Sequence, residues 1–221
     1  MSKNQEDYLK KTDLLAQSLS LHFDSRDMET IRPDTDRAAA VLLPAVIRDG
    51  EPNLLFEVRA SNLPQGGEIC FPGGALENGE SSREAAVRET AEELLIGREQ
   101  IRVIAPMFQM AGPGGIWIRS FLGVIRDYRD TWSEEEVDHV FFLPFSWLRE
   151  KKPVVSHVKL RVDDDRDFPY DLIPGGRSYP MRKLPRAYYF YKTGHGVIWG
   201  MTAELLYHFS SLLKELPSAS L

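Results

Sequence analysis

A single cysteine, Cys70, stands in a chain of 221 residues. One thiol forms no intramolecular disulfide and no cysteine-based zinc site, so a reducing, intracellular compartment fits best. Long apolar runs are missing as well. The two longest, Ala38 to Ile47 and Val137 to Leu143, are interrupted by proline or charge and fall short of the ~20 residues that span a bilayer. Lys3, Lys10 and Lys11 are followed by no apolar stretch of the kind a signal peptide needs. An excess of positive charge is also absent: 27 Lys and Arg against 33 Asp and Glu leave a net charge of -6. That balance argues against a protein whose task is to grip a nucleic-acid backbone. The expectation is therefore a cytoplasmic protein with neither a membrane nor a nucleic-acid partner, and any anionic ligand must be met by local cations or a metal.

What is present is the composition of a packed domain. Hydrophobic residues make up 43% and charged residues 27%, which excludes collagen-like, low-complexity and bulk-disordered classes. Tyr8, Leu15 and Leu19 recur at roughly helical spacing, so residues 5–22 read as an amphipathic helix. Residues 1–35 are expected to form a helical extension and residues 36–221 the main domain, with the N-terminal helix available to a homodimer. From Arg37 the texture changes. AAAVLLPAVI, the turn-like Asp49-Gly50-Glu51-Pro52 and NLLFEVR predict a β-hairpin. Residues 61–72 read as a loop, Ser81 to Leu95 as a helix, and IRVIAPMFQM, IWIRSFLGVIR and DHVFFLP as strands. The segment 150–186 is rich in turn residues and is a candidate lid, although VVSHVKLRV and AYYFYK look strand-like. Leucines and Phe209 at i, i+3, i+4 spacing predict a closing helix over 202–216.

One constellation carries chemistry. Glu89, Glu92 and Glu93 fall at about 0°, 300° and 40° on a helical wheel, so three carboxylates share one face. Like charges at this spacing cost roughly 0.2–0.5 kcal/mol per pair, and a hard divalent cation reverses the sign. A glutamate face is most often a solvated surface. Here it follows a helix start signalled by a Ser81/Glu84 capping box, and before that lies Phe71-Pro72-Gly73-Gly74, a turn whose glycines let backbone approach a metal or phosphate.

The order Gly74, Glu80, Arg88, Glu89, Glu92, Glu93 resembles the Nudix box, G-x5-E-x7-R-E-U-x-E-E-x-G-U with U a bulky apolar residue. Thr90 stands where the apolar U is expected and Leu95 where the late glycine is expected. The resemblance implies an α/β (α+β) fold, a mixed β-sheet sandwiched between helices, and a diphosphohydrolase acting on a nucleoside diphosphate linked to another moiety. It implies Mg²⁺ or Mn²⁺ held by Glu89, Glu92 and Glu93 with the Gly74 carbonyl, Arg88 orienting Glu89, and Glu80 bracing the loop. The general base is then Glu89 or, from outside the box, Glu136.

Two flanking stretches narrow the resemblance. Leu54 to Arg59 followed by Gly67-Glu68-Ile69-Cys70-Phe71-Pro72-Gly73-Gly74, and Ile198-Trp199-Gly200-Met201-Thr202-Ala203, are similar to segments of the coenzyme A diphosphatase branch. That implies hydrolysis of coenzyme A or a derivative to 3′,5′-ADP and 4′-phosphopantetheine, with Arg59, Gly73 and Gly74 at the substrate. Arg177, Arg182, Lys183 and Arg186 form a basic stretch that reads either as solvated surface or as a phosphate contact. The interval from Arg59 to Gly67 is shorter than that branch's pattern and lacks its histidine, which keeps ADP-ribose or another nucleoside diphosphate derivative open as substrate. Thr90 and Leu95 keep open a non-catalytic nucleotide-binding module. Cys70 reads as a packing residue, Trp199 as a core aromatic and residues 163–167 as a solvated acidic tip.

Overall fold

The structure, a computed structural model, describes residues 3–23, 37–112, 115–160, 168–180 and 184–217. Helix α1 (Lys3–Phe23) leads into β1 (Ala38–Arg48), β2 (Glu51–Arg59), β3 (Ile69–Cys70), β4 (Gly73–Ala75) and helix α2 (Ser82–Glu93). Then come β5 (Ile101–Ala111), β6 (Trp117–Ile125), β7 (Val137–Pro144), α3 (Phe145–Glu150), β8 (Val154–Leu160), β9 (Leu184–Thr193), β10 (Gly196–Ile198) and α4 (Gly200–Glu215). The hairpin β1–β2 closes on Asp49 and Gly50, both at positive φ (51° and 82°), the conformation of a two-residue turn matched to strand twist.

The β1 strand organises the main sheet. One edge pairs parallel with β6; the other is shared, Ala39–Val41 with β4 and Ala45–Arg48 with β2, both antiparallel. Because a strand has only two edges, β2 and β4 must part from one another along β1, and the turn between β3 and β4 fills the fork, tied down by Leu42 N–H donating to the Pro72 carbonyl at 2.9 Å. β7 pairs antiparallel with the other edge of β2 along 53–59, and β5 antiparallel with β6, so with the parallel β1–β6 pair the sheet is mixed. Strand alternation sends Leu43, Ala45, Leu54, Phe56 and Val58 to a core completed by α1 and α4, and Ala40, Leu42, Val46 and Leu55 to one closed by α2. The sheet thus lies between helices, as expected. Leu15, Ala16 and Leu19 of α1 join the larger core, whereas Leu14 and Leu21 stay exposed.

The short strand β3 falls inside the stretch expected to be loop, held by the pairing of Cys70 with Glu57. β8, β9 and β10 form a separate antiparallel sheet, so the strand-like stretches of the turn-rich segment are strands. Residues 163–167, Arg182 and Lys183 lie outside the described residues. Among the described residues no helix is long and apolar enough to cross a membrane.

Both departures of α2 from the box pattern have local explanations. Thr90 is fully buried, yet its hydroxyl donates to the Ala86 carbonyl at 2.7 Å, so a polar side chain occupies an apolar position without an unpaired group. Leu95 takes φ 51° in the turn that ends the helix, where Ile96 N–H returns to the Ala91 carbonyl at 3.1 Å. This left-handed position suits glycine, and the Leu95 side chain is 61% exposed with little packing to lose. Leu95→Gly is expected to stabilise the protein by roughly 0.5–1 kcal/mol, read as a raised Tm. A lowered Tm would show that the exposed leucine contributes contacts the backbone strain does not outweigh.

Candidate active site

The α2 start is set by Ser81, whose side chain accepts from Glu84 N–H while the Glu84 carboxylate accepts from Ser81 N–H at 2.9 Å. Alternation of buried small residues, Ala85, Ala86 and Ala91, lets the helix lie close to β1, so its last turns stand beside the Gly73–Gly74 turn. The three glutamates occupy different depths. Glu93 is 3% exposed, Glu89 is half-buried, and Glu92 reaches solvent. Glu93 accepts from Gly73 N–H at 2.8 Å, which locks the turn to the helix end.

Arg88 is the hub. Nε and Nη2 grip Glu80 at 2.9 and 3.0 Å, Nη1 donates to Glu89 at 2.9 Å and Glu92 at 3.2 Å, and Nη2 also donates to the Ala75 carbonyl at 3.1 Å. The planar fork thereby spends its five N–H donors on three carboxylates and the loop backbone. Glu80 in turn accepts from Glu77 N–H, so it joins loop and helix. Gly74 lies against Glu89: a Cβ there would sit 2.5 Å from the Glu89 carboxylate. Glu136, before β7, is exposed, but its charge acts on Glu57, Glu89 and Glu93, which places it toward this cluster.

A further carboxylate sits here that motif reading passed over. Glu57 of β2 is 1% exposed; its Oε1 accepts from the Cys70 thiol at 3.2 Å, and its Oε2 has no donor. The signal was present in NLLFEVR, where a glutamate interrupts an otherwise apolar strand. Burial raises the pKa of Glu57 and, with the Glu57 charge added, that of Glu93. Burial also raises Glu89, whereas the Arg88 hydrogen bonds hold Glu80 below the ordinary range. The Cys70 thiol is pushed up by burial and by Glu57, so it stays protonated and serves as a donor in addition to packing.

Among the described residues no three His, Cys, Asp or Glu side chains meet closely enough to cage a cation as they stand, since Arg88 holds Glu89 and Glu92 to itself. The donor set nonetheless fits a hard divalent ion: it is all oxygen, and the buried Glu57 Oε2 lacks any partner. A consequence follows for pH. Glu57 and Glu93 bind protons more tightly folded than unfolded, so their contribution to stability is complete below the ordinary glutamate pKa of ~4.3 and is lost as pH rises through the raised values. The metal-free protein is therefore expected to melt at a lower temperature near about pH 8 than near about pH 5.5, and added Mg²⁺ or Mn²⁺ to narrow the gap. Equal melting temperatures with chelator present would contradict this.

Beside the Gly73 turn, on the α4 side of the sheet, opens a cavity of about 350 Å³ lined by Arg59, Glu68, Phe71, Arg186 and Trp199, with Gly73 at its edge. Arg59 donates to the Pro64 carbonyl at 3.3 Å, and Arg186 pairs with Glu204 at 3.1 Å. Arg177 instead lies over the Tyr170 ring and does not line this cavity. Trp199, expected in the core, is 44% exposed: its neighbour Ile198 takes the buried position, and strand alternation turns the indole outward.

Buried carboxylates thus stand behind a glycine turn, next to a cavity carrying the Arg59 and Arg186 guanidinium groups. The chain belongs to the Nudix hydrolase family: the NUDIX domain model matches residues 36–167. Relatives from Salmonella paratyphi B and Salmonella newport, each described as an uncharacterized Nudix hydrolase NudL, are 31% identical over 195 residues, 84% of this chain and 90% of theirs. Among solved structures, a Nudix hydrolase from M. smegmatis, RenU, is similar over 50% of this chain and 71% of its own at 25% identity and TM-score 0.43. A MutT/nudix family protein from Enterococcus faecalis is similar over 96% and 75% at 16% identity and TM-score 0.48. The protein is thus a Nudix pyrophosphohydrolase acting on a nucleoside diphosphate derivative, in a family that works with divalent metal ions.

Proposed function

We propose that the enzyme hydrolyses the diphosphate bond of coenzyme A or a coenzyme A derivative with Mg²⁺ or Mn²⁺, releasing 3′,5′-ADP and 4′-phosphopantetheine or its acyl form. The observation that carries this reading is the position of Gly73. Its N–H holds Glu93 of the carboxylate cluster while the residue itself edges the cavity bearing Arg59, Arg186 and Trp199. A diphosphate at the turn therefore has room to extend its nucleotide into that cavity. There the two guanidinium groups suit the extra 3′-phosphate, and the exposed indole suits the adenine face.

In this mechanism Glu89, Glu92 and Glu93, with the Gly74 carbonyl, would hold the divalent metal. When bound, it neutralises charge on the diphosphate oxygens and lowers the pKa of the attacking water. Glu89 accepts the proton of that water, held in place on the helix face by Arg88. Glu136 is the second candidate for this role because it faces the same cluster from outside the helix. Arg88 keeps Glu89 in place through the 2.9 Å contact while Glu80 anchors Arg88.

Coenzyme A incubated with enzyme and Mg²⁺ or Mn²⁺ is expected to give 3′,5′-ADP and 4′-phosphopantetheine by mass, with no products in chelator or in Glu93→Gln. The short interval between Arg59 and Gly67 favours a second substrate, ADP-ribose or another nucleoside diphosphate derivative. A kcat/KM higher by about tenfold or more on ADP-ribose, ~1.4 kcal/mol in transition-state binding, would transfer the assignment to it.

A further inference from the structure

The β2 strand adds one acidic group, Glu57, to Glu89, Glu92 and Glu93 of the glutamate helix. Leu54, Phe56 and Val58 point into the larger core, and Phe56 stacks on Phe71 at 4.7 Å and on Phe141 at 5.4 Å. That register commits Leu55 and Glu57 to the opposite face, where Leu55 packs under α2 and Glu57, two residues on, arrives below the end of that helix. Cys70 flanks it on one neighbouring strand and Val140 on the other. Glu89 and Glu93 of α2 and Glu136 from the segment before β7 repel its charge, and Arg59 on its own strand offsets them in part.

A carboxylate 1% exposed needs donors on both oxygens or a cation, because leaving either unpaired in a dry site is costly. Glu57 has the Cys70 thiol on Oε1 and nothing on Oε2. A residue whose role was to brace the sheet would have both oxygens paired. A buried oxygen left open beside Glu93 is instead suited to a positive charge that arrives later. We propose that Glu57 is a ligand of the divalent cation, closing the inner side of the carboxylate set opposite the helix, with the Cys70 thiol holding its other oxygen in position. This rests on the metal-dependent reading above and adds a ligand from outside the helix, on β2.

The test needs no substrate. Mn²⁺ is titrated into metal-free wild type and Glu57→Gln, with binding read by calorimetry and by loss of the free-Mn²⁺ electron paramagnetic resonance signal, and Tm is measured with chelator and with Mn²⁺. Glu57→Gln keeps the shape and removes the charge. It is expected to weaken Mn²⁺ binding by about tenfold or more, or to lose a site, while the metal-free Tm holds or rises and the metal-induced rise in Tm shrinks. Wild-type Mn²⁺ affinity and stoichiometry in Glu57→Gln would overturn the proposal, and so would a lower metal-free Tm with unchanged binding, or failure to fold, because both describe a strut. Glu57→Asp, which keeps the charge on a shorter arm, is expected to retain more affinity than the glutamine variant; equal loss in both counts against ligation. Failure of wild type itself to bind Mn²⁺ would remove the metal reading first. Wild-type binding matched by Glu57→Gln removes this inference alone, and neither result depends on which nucleotide is hydrolysed.

Discussion

Gly73→Ala is expected to destabilise the enzyme by about 3 kcal/mol or more, a fall in Tm of roughly 10 °C, and to abolish turnover. Its φ of 149° is one that side-chain-bearing residues rarely adopt, and a Cβ there would lie 2.2 Å from the Ala40 carbonyl oxygen and 2.6 Å from the Val41 Cα. Those atoms belong to the central strand and cannot move aside, so the turn must move. In moving it breaks the 2.8 Å contact from Gly73 N–H to Glu93 and distorts the edge of the cavity. Gly79→Ala is the control. Gly79 also has positive φ, 80°, but no atom lies within 4 Å of the added methyl. Its cost should be that of backbone strain alone, about 1 kcal/mol, with turnover kept. Thermal melts of the two variants side by side decide the point: equal losses would mean that the packing of Gly73 against β1 carries no weight.

The second large effect is expected at Arg88. Arg88→Met keeps much of the aliphatic stem and deletes the fork, leaving Glu80, Glu89 and Glu92 without their common donor. Turnover should fall by on the order of a hundredfold or more, since a carboxylate displaced by about an ångström from its working position costs that much. The metal-free protein should lose on the order of 1–3 kcal/mol in stability, as expected when partly buried charged groups lose their donors. Arg88→Lys restores the charge without the fork, because an ammonium cannot span Glu80, Glu89 and the Ala75 carbonyl at once. It should recover stability better than activity. A lysine variant with wild-type kcat would mean that charge alone, and not the fixed placing of Glu89, is what Arg88 supplies.

Much of the candidate site's local geometry could be read along the chain because its signals are short-range. A capping box, a glycine turn and glutamates at helical spacing lie between Phe71 and Glu93, and local rules of capping and periodicity are enough to place them on one loop and one helix. The hairpin and the closing helix were legible for the same reason, each being a short-range pattern of turn residues or apolar spacing. Helix periodicity gave the shared face but not the depth. Glu93 is buried and Glu92 exposed because the sheet lies nearer one side of that face, and only the packed structure says which side. Thr90 and Leu95 looked like defects in a pattern; the hydroxyl bond to Ala86 and the left-handed turn at Leu95 show how the helix absorbs each.

Trp199 was misjudged from residue type, since a tryptophan in an apolar context usually packs inward, and strand alternation after the buried Ile198 turned it toward the cavity. Glu57 carries no motif signal in the sequence, because a lone acidic residue in an apolar strand has no partner within reach along the chain. Its neighbours Cys70, Glu93 and Glu136 are brought to it by the pairing of β2 with β3 and β7 and by the fork on β1. The sequence by itself determined the family, since the motif that marks it, from Gly74 to Glu93, is consecutive enough for helix and turn rules to hold it together. Tertiary structure alone decided which carboxylates are buried, which strand brings Glu57 beside them and where the cavity opens, because those depend on contacts between segments far apart in the chain.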